Sequence, residues 1–456
     1  MEVKDTLVLS IRDVGMNGEG IGESDGFTFF VPYALKGEEI KIAVDKIKGN
    51  LAWGHIIKML KPSPLRETPL CPLFGKCGGC DFQHISLEEE RKIKMQNLET
   101  VMKKAGINFP ISPIVGGNPY YYRNKMALPF GIRDGEIVLG FFKEGTHKVI
   151  PLTPDKKESC CPLHTNQFNK VIKCVLDYAK ENSLSVYNEK SGKGLLRHLV
   201  ARLVGDSFSI VLVINGNKLP KSEKLLSKLK MEFANFSLAI SENTKRNNVI
   251  FGDNLTTLYG SEKLEYKTVG IKAEVSPLSF LQVNTPIAEK AYQKILSYVK
   301  EDAYVIDAYS GTGVLTVMLA QKAKKVLGIE IIPSAVENAN KNAKLNGFEE
   351  KITNYCGDTA KILPQIITEY QKDEGDKVVV FDPPRQGVAK EVLESVISAG
   401  ADSIIYLSCN PATLARDLAI LKEHYQICEI TPFDFFPRTR HVESLVCLQS
   451  RQTKAI

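Results

Sequence analysis

From about residue 271 onward, short apolar runs alternate with amphipathic stretches, and few folds can accept that order. Val305-Ile306-Asp307, Val326-Leu327-Gly328-Ile329-Glu330, Ile352-Thr353-Asn354-Tyr355, Val378-Val379-Val380-Phe381-Asp382 and Ile404-Ile405-Tyr406-Leu407 read as strands. Helices are expected after Gly313, after Pro333 as far as Asn346-Gly347, after Thr359, after Gly387 and after Pro411. A strand that is apolar at successive positions is buried on both faces, which calls for a parallel sheet with helices on either side. The predicted architecture is therefore a doubly wound α/β unit over residues 271–456, closing with strand-like runs from Gln426 to Ile430 and Ser444 to Leu448.

The rest of the chain reads differently. Thr6 to Ile11, Phe27 to Val31 and Glu39 to Val44 are short strands separated by turns such as Gly15-Met16-Asn17-Gly18-Glu19-Gly20, the pattern of a small barrel over residues 1–62. Lys61-Pro62-Ser63-Pro64 is a linker, and residues 63–270 form a mixed α and β unit. In that unit Ser86-Leu87-Glu88-Glu89 is a capping box that starts a helix, with Gly106 as its stop. Tyr120-Tyr121-Tyr122-Arg123-Asn124-Lys125 fits base stacking beside phosphate contacts, but by residue type alone it reads as a strand edge with core tyrosines.

The 456 residues suffice for two or three cores, and 43% hydrophobic with 25% charged residues matches an ordinary soluble protein. No run of about eighteen apolar residues and no signal peptide is visible, so the cytosol is the expected location, with no membrane partner. The net charge of +6 permits a nucleic-acid partner without demanding one. The first sixty residues carry nine acidic side chains against seven basic ones, so charge alone does not lead to RNA. Ten cysteines in a cytosolic chain point to metal binding, catalysis or core use rather than disulfides.

In an open α/β sheet, ligands bind beyond the carboxyl ends of the strands. Asp307-Ala308-Tyr309-Ser310-Gly311-Thr312-Gly313 lies there, and Glu330 ends the next strand, where an acid can accept ribose hydroxyls. The glycine turn lacks the third glycine that seats a pyrophosphate, which favours S-adenosylmethionine over a dinucleotide. Asp382-Pro383-Pro384 ends the fourth strand in a loop stiffened by fixed φ angles, suited to a flipped-out base.

Cys409 follows the fifth strand in Leu407-Ser408-Cys409-Asn410-Pro411, with Asn410 as the expected N-cap and Pro411 as the first helical residue. A helix N-terminus favours thiolate, so Cys409 is expected to be nucleophilic. A thiolate that adds to C6 of uracil turns the ring into an enolate whose C5 can take a methyl group. A base must then remove the C5 proton before the thiol leaves, and Glu443 fits, because it starts a strand placed to lie beside the fifth.

Cys71, Cys77 and Cys80 form a second cluster, with Cys160 and Cys161 as the nearest companions. Four thiolates suit an iron–sulfur cluster or zinc, and His84 offers a Cys3His zinc alternative.

These residues together resemble a known family. The chain resembles the TRAM-containing, iron–sulfur branch of the RNA m5U methyltransferases, in particular the bacterial 23S ribosomal RNA (uracil-5-)-methyltransferases. The similarity covers nearly the whole chain. It rests on the cysteine spacing, Phe280-Leu281-Gln282-Val283-Asn284, the Asp307 to Gly313 turn, Asp382-Pro383-Pro384-Arg385, Ser408-Cys409-Asn410-Pro411 and His441-Val442-Glu443, all in order. The resemblance implies an OB-like TRAM barrel, a central iron–sulfur domain and a C-terminal Rossmann-like class I methyltransferase domain. It also implies that Gln282, Tyr309, Glu330 and Asp382 contact S-adenosylmethionine, with Asp358 near the adenine. Cys409 would be the nucleophile and Glu443 the proton acceptor. Cys71, Cys77, Cys80 and Cys161 would hold a [4Fe–4S] cluster, Cys161 being the cysteine that precedes a proline. The implied partner is RNA, with 23S ribosomal RNA first and transfer RNA second, and the protein is expected to act as a monomer. Amine or cytosine methylation, and an RNA-binding iron–sulfur protein without turnover, are the competing readings.

Overall fold

The computed structural model describes residues 1–153, 161–372 and 375–451, so Cys160 lies outside the described residues. Five strands close into an N-terminal barrel in the order β1-β2-β3-β5-β4: β1 (Thr6–Val14), β2 (Gly20–Ser24), β3 (Phe27–Val31), β4 (Glu39–Lys48) and β5 (Leu51–Lys61). Leu9, Ile11, Phe29, Val31, Ile40 and Ile42 alternate inward to fill it. Sequence patterning missed β2, because two of its five residues are glycine and carry no alternation. The barrel needs them. A Cβ at Gly22 would come within 2.7 Å of both the Leu9 side chain and the Ser10 carbonyl oxygen.

Helix α1 (Leu87–Lys104) starts where the capping box placed it, with the Ser86 hydroxyl accepting from Glu89 N–H at 3.1 Å. Its packing departs from the sequence reading. Leu98, Val101 and Met102 bury against the C-terminal sheet and its helices, in one core with Leu418, Leu421 and Ile430, rather than inside the 63–270 unit.

The middle of the chain folds into one seven-stranded sheet, ordered β12-β11-β10-β9-β6-β7-β8. Its strands are β6 (Lys125–Arg133), β7 (Glu136–Phe142), β8 (Val149–Pro151), β9 (Leu196–Val204), β10 (Ser207–Ile214), β11 (Phe236–Glu242) and β12 (Asn254–Tyr259). Helices α2 (Gln167–Glu181) and α3 (Ser222–Glu232) pack onto it through Phe168, Val171, Ile172, Val175, Leu225 and Leu229. A hairpin of β13 (Leu264–Thr268) and β14 (Ile271–Val275), then α4 (Thr285–Tyr298), leads on; neither the hairpin nor α4 was expected from the sequence.

The C-terminal sheet is ordered β17-β16-β15-β18-β19-β21-β20. Strands β15 (Tyr304–Ala308), β16 (Lys325–Glu330), β17 (Ile352–Cys356), β18 (Lys377–Phe381) and β19 (Ser403–Ser408) run parallel, at the places where the apolar runs stand. Helices α5 (Val314–Ala320), α6 (Pro333–Leu345), α7 (Thr359–Lys372), α8 (Lys390–Ala399) and α9 (Pro411–Leu421) alternate with them, and two apolar cores line the sheet. From β15 the chain moves outward to β16 and β17, then returns to β18 on the opposite side. That reversal opens a crevice beyond the ends of β15 and β18, where such sheets bind ligands. The two last strands, β20 (Tyr425–Phe433) and β21 (Glu443–Ser450), add antiparallel to each other, with β21 antiparallel to β19 and Ser444 opposite Ser408. Among the described residues no helix is long and apolar enough to cross a membrane.

Asp417 on α9 holds three parts of this sheet together. Its fully buried carboxylate accepts from Val388 N–H at 2.9 Å, from the Tyr406 hydroxyl at 2.7 Å and from Arg416 Nε at 2.8 Å. Asp417→Ala strands two buried donors, so we expect a loss of about 3 kcal/mol in urea unfolding followed by circular dichroism. A midpoint unchanged from wild type would contradict this role.

Candidate active site

The crevice is built from strand ends. After β15 the backbone turns sharply, and Tyr309 N–H and Ser310 N–H both donate to the Ile329 carbonyl, at 3.0 and 2.9 Å. Tyr309 sits at φ 80°, a left-handed conformation that a side-chain-bearing residue adopts only when its surroundings hold it there. Glu330, at the end of β16, braces the turn: Oε2 accepts from Gly311 N–H at 3.0 Å and Oε1 from Ile332 N–H at 2.9 Å. Each oxygen keeps a lone pair for a ligand hydroxyl. Gly313 opens α5 at φ 77°, where a Cβ would meet that of Ala339 at 2.7 Å, so glycine is required there.

Two further carboxylates face this turn. Asp307 is buried; its Oδ2 accepts from the Thr316 hydroxyl at 2.6 Å, while Oδ1 is buried without a partner. Burial, with Glu330 adding, pushes its carboxyl up to about 6. Asp382 is pushed up to about 7 by burial and then by Asp307. Gln282 is buried in the loop entering α4, where its carbonyl accepts from Asn124 Nδ2 at 2.9 Å. Asp358 caps α7 through Ala360 N–H at 3.0 Å, and its charge bears on the Tyr309 hydroxyl. Asp307, Tyr309, Glu330 and Asp382 thus come together at the ends of neighbouring parallel strands. A carboxylate ready for hydroxyls, an orphan oxygen and a glycine turn suit an adenosine ligand.

Cys409 and Glu443 meet across the β19–β21 pairing, since the register that sets Ser408 opposite Ser444 brings both residues to the same sheet end. Asn410 caps α9 as expected, its Oδ1 accepting from Ala412 N–H at 3.1 Å, with Pro411 in the first turn. The amide does a second job. Asn410 Nδ2 donates to the Arg385 carbonyl at 3.0 Å, tying the turn of Cys409 to the loop of Asp382.

The expected activation of the thiol by the helix end is overridden in this structure. Burial, then the charges of Glu443 and Asp382, push Cys409 up to about 11, against an opposing effect of Arg385. Glu443 is pushed up to about 8 by burial and Asp382, again opposed by Arg385. Several carboxylates crowded into one low-dielectric pocket outweigh the partial charge of one helix terminus. Both members of the resting pair are shifted toward their protonated forms. Arg385 was read from the sequence only as the end of a motif, with no role, and Tyr292 was not singled out. Tyr292 on α4 lies within the field of Asp382, Glu443 and Asp307, yet an isolated tyrosine in an amphipathic helix reads as core.

The profile of the tRNA (uracil-5-)-methyltransferase family matches residues 219–451, just over half of the chain. The chain belongs to this family. It is 37% identical, over 97% of its length and 96% of the relative's, to a Clostridium tetani protein described as an uncharacterized RNA methyltransferase. A Clostridium acetobutylicum protein of the same description is 38% identical over 96% of each chain. The crystal structure of Pyrococcus abyssi tRNA (uracil-54, C5)-methyltransferase in complex with S-adenosyl-L-homocysteine aligns with a TM-score of 0.77 at 25% identity. That alignment covers 97% of this chain and 100% of the Pyrococcus chain.

In this methyltransferase, Cys71, Cys77, Cys80 and Cys161 lie close enough for their charges to act on one another. Cys80 and Cys161 share a small cluster with Tyr122 and Leu163, and the charges of Cys71 and Cys77 bear on Cys80. Burial pushes Cys80 and Cys161 up to about 12. Gln83 bridges the group, donating Nε2 to Cys80 Sγ at 3.2 Å and accepting from Cys71 N–H at 3.0 Å. Arg123 stands beside Cys80 and Cys161, favouring their charged forms, and its Nε is buried without a partner. By residue type alone, thiols beside a cation with a spare N–H are what an anionic thiolate-bound centre uses. Among the described residues, no three His, Cys, Asp or Glu side chains are spaced to close around a metal ion. His84 does not join the thiols. Its charged neighbours are Arg66 and Glu38, and its ring packs against Phe74 at 5.3 Å.

The raised thiol carries a measurable consequence. Iodoacetamide should label Cys409 slowly at pH 7 and faster with each step toward pH 10, since thiolate is the reacting form. Arg385→Ala should slow labelling further, because it removes the cation that favours thiolate. Mass spectrometry of the Cys409 peptide reads both, and a flat rate between pH 6 and 10 would contradict the assignment.

Proposed function

We propose that this protein methylates C5 of a uridine in 23S ribosomal RNA, with Cys409 as nucleophile and Glu443 as proton acceptor. The register of β21 on β19 carries the reading, because it makes a thiol and a carboxylate neighbours at one end of the sheet. Asp307, Tyr309, Glu330, Asp382 and Gln282 are the residues that would hold S-adenosylmethionine, which supplies the methyl group when bound. Cys409, having first given its proton to water, adds as the thiolate through Sγ to C6 of the flipped uracil. The ring then carries the electron pair at C5, so that C5 is the atom methylated. Glu443, its own proton lost to water beforehand, takes the C5 proton, and the C6–S bond breaks to restore the ring and free the thiolate. Asn410 and Arg385 keep the nucleophile and the Asp382 loop in one frame. Arg385 also favours the charged forms of both reacting groups.

Transfer RNA is the second reading, favoured by the family description and by the substrate of the Pyrococcus enzyme. The 23S assignment rests on the four-cysteine pattern, for which Cys71, Cys77, Cys80 and Cys161 would hold a [4Fe–4S] cluster with a structural role.

Cys409→Ala should abolish m5U formation on RNA transcripts while S-adenosylmethionine still binds by calorimetry; retained turnover would refute the nucleophile. Glu443→Gln should trap a protein–RNA adduct visible on a denaturing gel, and absence of the adduct would count against Glu443. Mapping m5U in ribosomal and transfer RNA from cells with and without this chain separates the two substrates. Anaerobically purified protein should contain iron and sulfide, lost in Cys161→Ala; zinc in their place would overturn the cluster.

A further inference from the structure

The segment leading into Glu443 is gripped from two sides by residues that the proposed chemistry leaves out. Residues 434–442 connect β20 to β21. On one side stands the turn that follows Cys80. Asp81 N–H and Phe82 N–H both donate to the Arg438 carbonyl, at 2.8 and 3.1 Å. The Asp81 carboxylate accepts from Arg440 N–H at 2.8 Å and from Arg440 Nη1 at 3.4 Å. Arg438 answers with Nη1 to the Ile85 and Phe82 carbonyls, at 2.9 and 3.3 Å, and with its N–H to Glu90 Oε1 at 2.7 Å.

Behind this lies a buried ionic cluster. Lys94 Nζ donates to Glu90 Oε1 and Asp434 Oδ1, both at 2.7 Å, with all three side chains wholly buried. The Tyr122 hydroxyl adds a bond to the Pro437 carbonyl at 3.0 Å. On the other side Asn284, two residues past Gln282, donates Nδ2 to the Phe435 carbonyl at 3.0 Å. A connection between two strands does not need this much holding. Arg438 shows why it has it: its φ of 69° persists in a residue with a side chain only where neighbours over-determine it. Buried ion pairs add little net stability but do fix geometry, here that of Asp434 against α1.

We propose that Asp81, backed by the Glu90–Lys94–Asp434 cluster, is a positioning residue for Glu443, so that the cysteine-bearing turn sets where the proton acceptor stands. The inference rests on the reading of Glu443 as that acceptor. Proton transfer needs heavy atoms about 3 Å apart. A displacement of about 1 Å in such a group can cost a hundredfold in rate. Whatever orders the turn of Cys77 and Cys80 therefore orders the approach to Glu443, through Asp81 and the backbone of Arg440.

Asp81→Ala and Asp81→Asn test this by hydrogen–deuterium exchange over residues 436–444, together with kcat and KM for S-adenosylmethionine. Asp81→Ala should speed exchange there but not over residues 304–330. It should lower kcat by about tenfold and leave KM unchanged. Asp81→Asn, which keeps an oxygen for Arg440 N–H, should restore both exchange and rate. Unchanged exchange in Asp81→Ala, faster exchange throughout the chain, or failure of Asp81→Asn to restore it overturns the proposal. Full turnover of Glu443→Gln would instead overturn the acceptor reading, and the positioning role with it, while exchange still reports the grip on the segment.

Discussion

Strand β21 lies antiparallel on β19 with Ser444 opposite Ser408, and a slip of one residue would turn Glu443 to the opposite face of the sheet. Nucleophile and acceptor come from opposite ends of a connection that includes α9 and β20, so no local interaction sets their distance. The register does. It is held by burial on both faces: Leu445, Val446 and Leu448 sink into the cores, as do Ile404, Ile405 and Leu407 across from them. Packing of this kind favours one alignment, because a slip of one residue hands each core the side chains shaped for the other.

Given that frame, electrostatics decides the resting state. Asp307, Asp382 and Glu443 share a pocket with limited access to water, and each raises the proton affinity of a neighbour. Arg385 is the cation that counters them at both reacting groups. Its place depends on Asn410, whose amide fastens the Arg385 carbonyl to the first turn of α9. The cap of one helix thus also sets the charge balance at the thiol beside it.

Three bodies of structure converge here without sharing sequence. The parallel sheet supplies the crevice, the 276–284 loop supplies Gln282 and Asn284, and the stretch after Cys80 supplies Asp81, Glu90 and Lys94. The segment from Asp434 to Val442 touches the last two on its way to the first. Helix α1 makes the same point about domain borders: read as part of the central unit, it buries its apolar stripe against α9. A stripe of leucine and valine states that a partner exists, not which partner.

Much of this was readable before any fold was known. The five parallel strands, the cap at Asn410, the start of α1 at Ser86 and the tight turn at Gly313 are local matters, decided by neighbours within a few residues through apolar patterning, capping chemistry and φ. Two classes of feature were not. Strands such as β2, whose glycines answer to the approach of another strand, carry no pattern of their own. Arg385, Tyr292 and Asp417 act through space on groups distant in sequence, and nothing adjacent to them marks that. The thiol at position 409 shows the boundary best. Local sequence argued for a lowered proton affinity from the helix end, while the fold raises it, because burial and the charges of Glu443 and Asp382 depend on distances between remote residues, and those exist only once the chain has closed on itself.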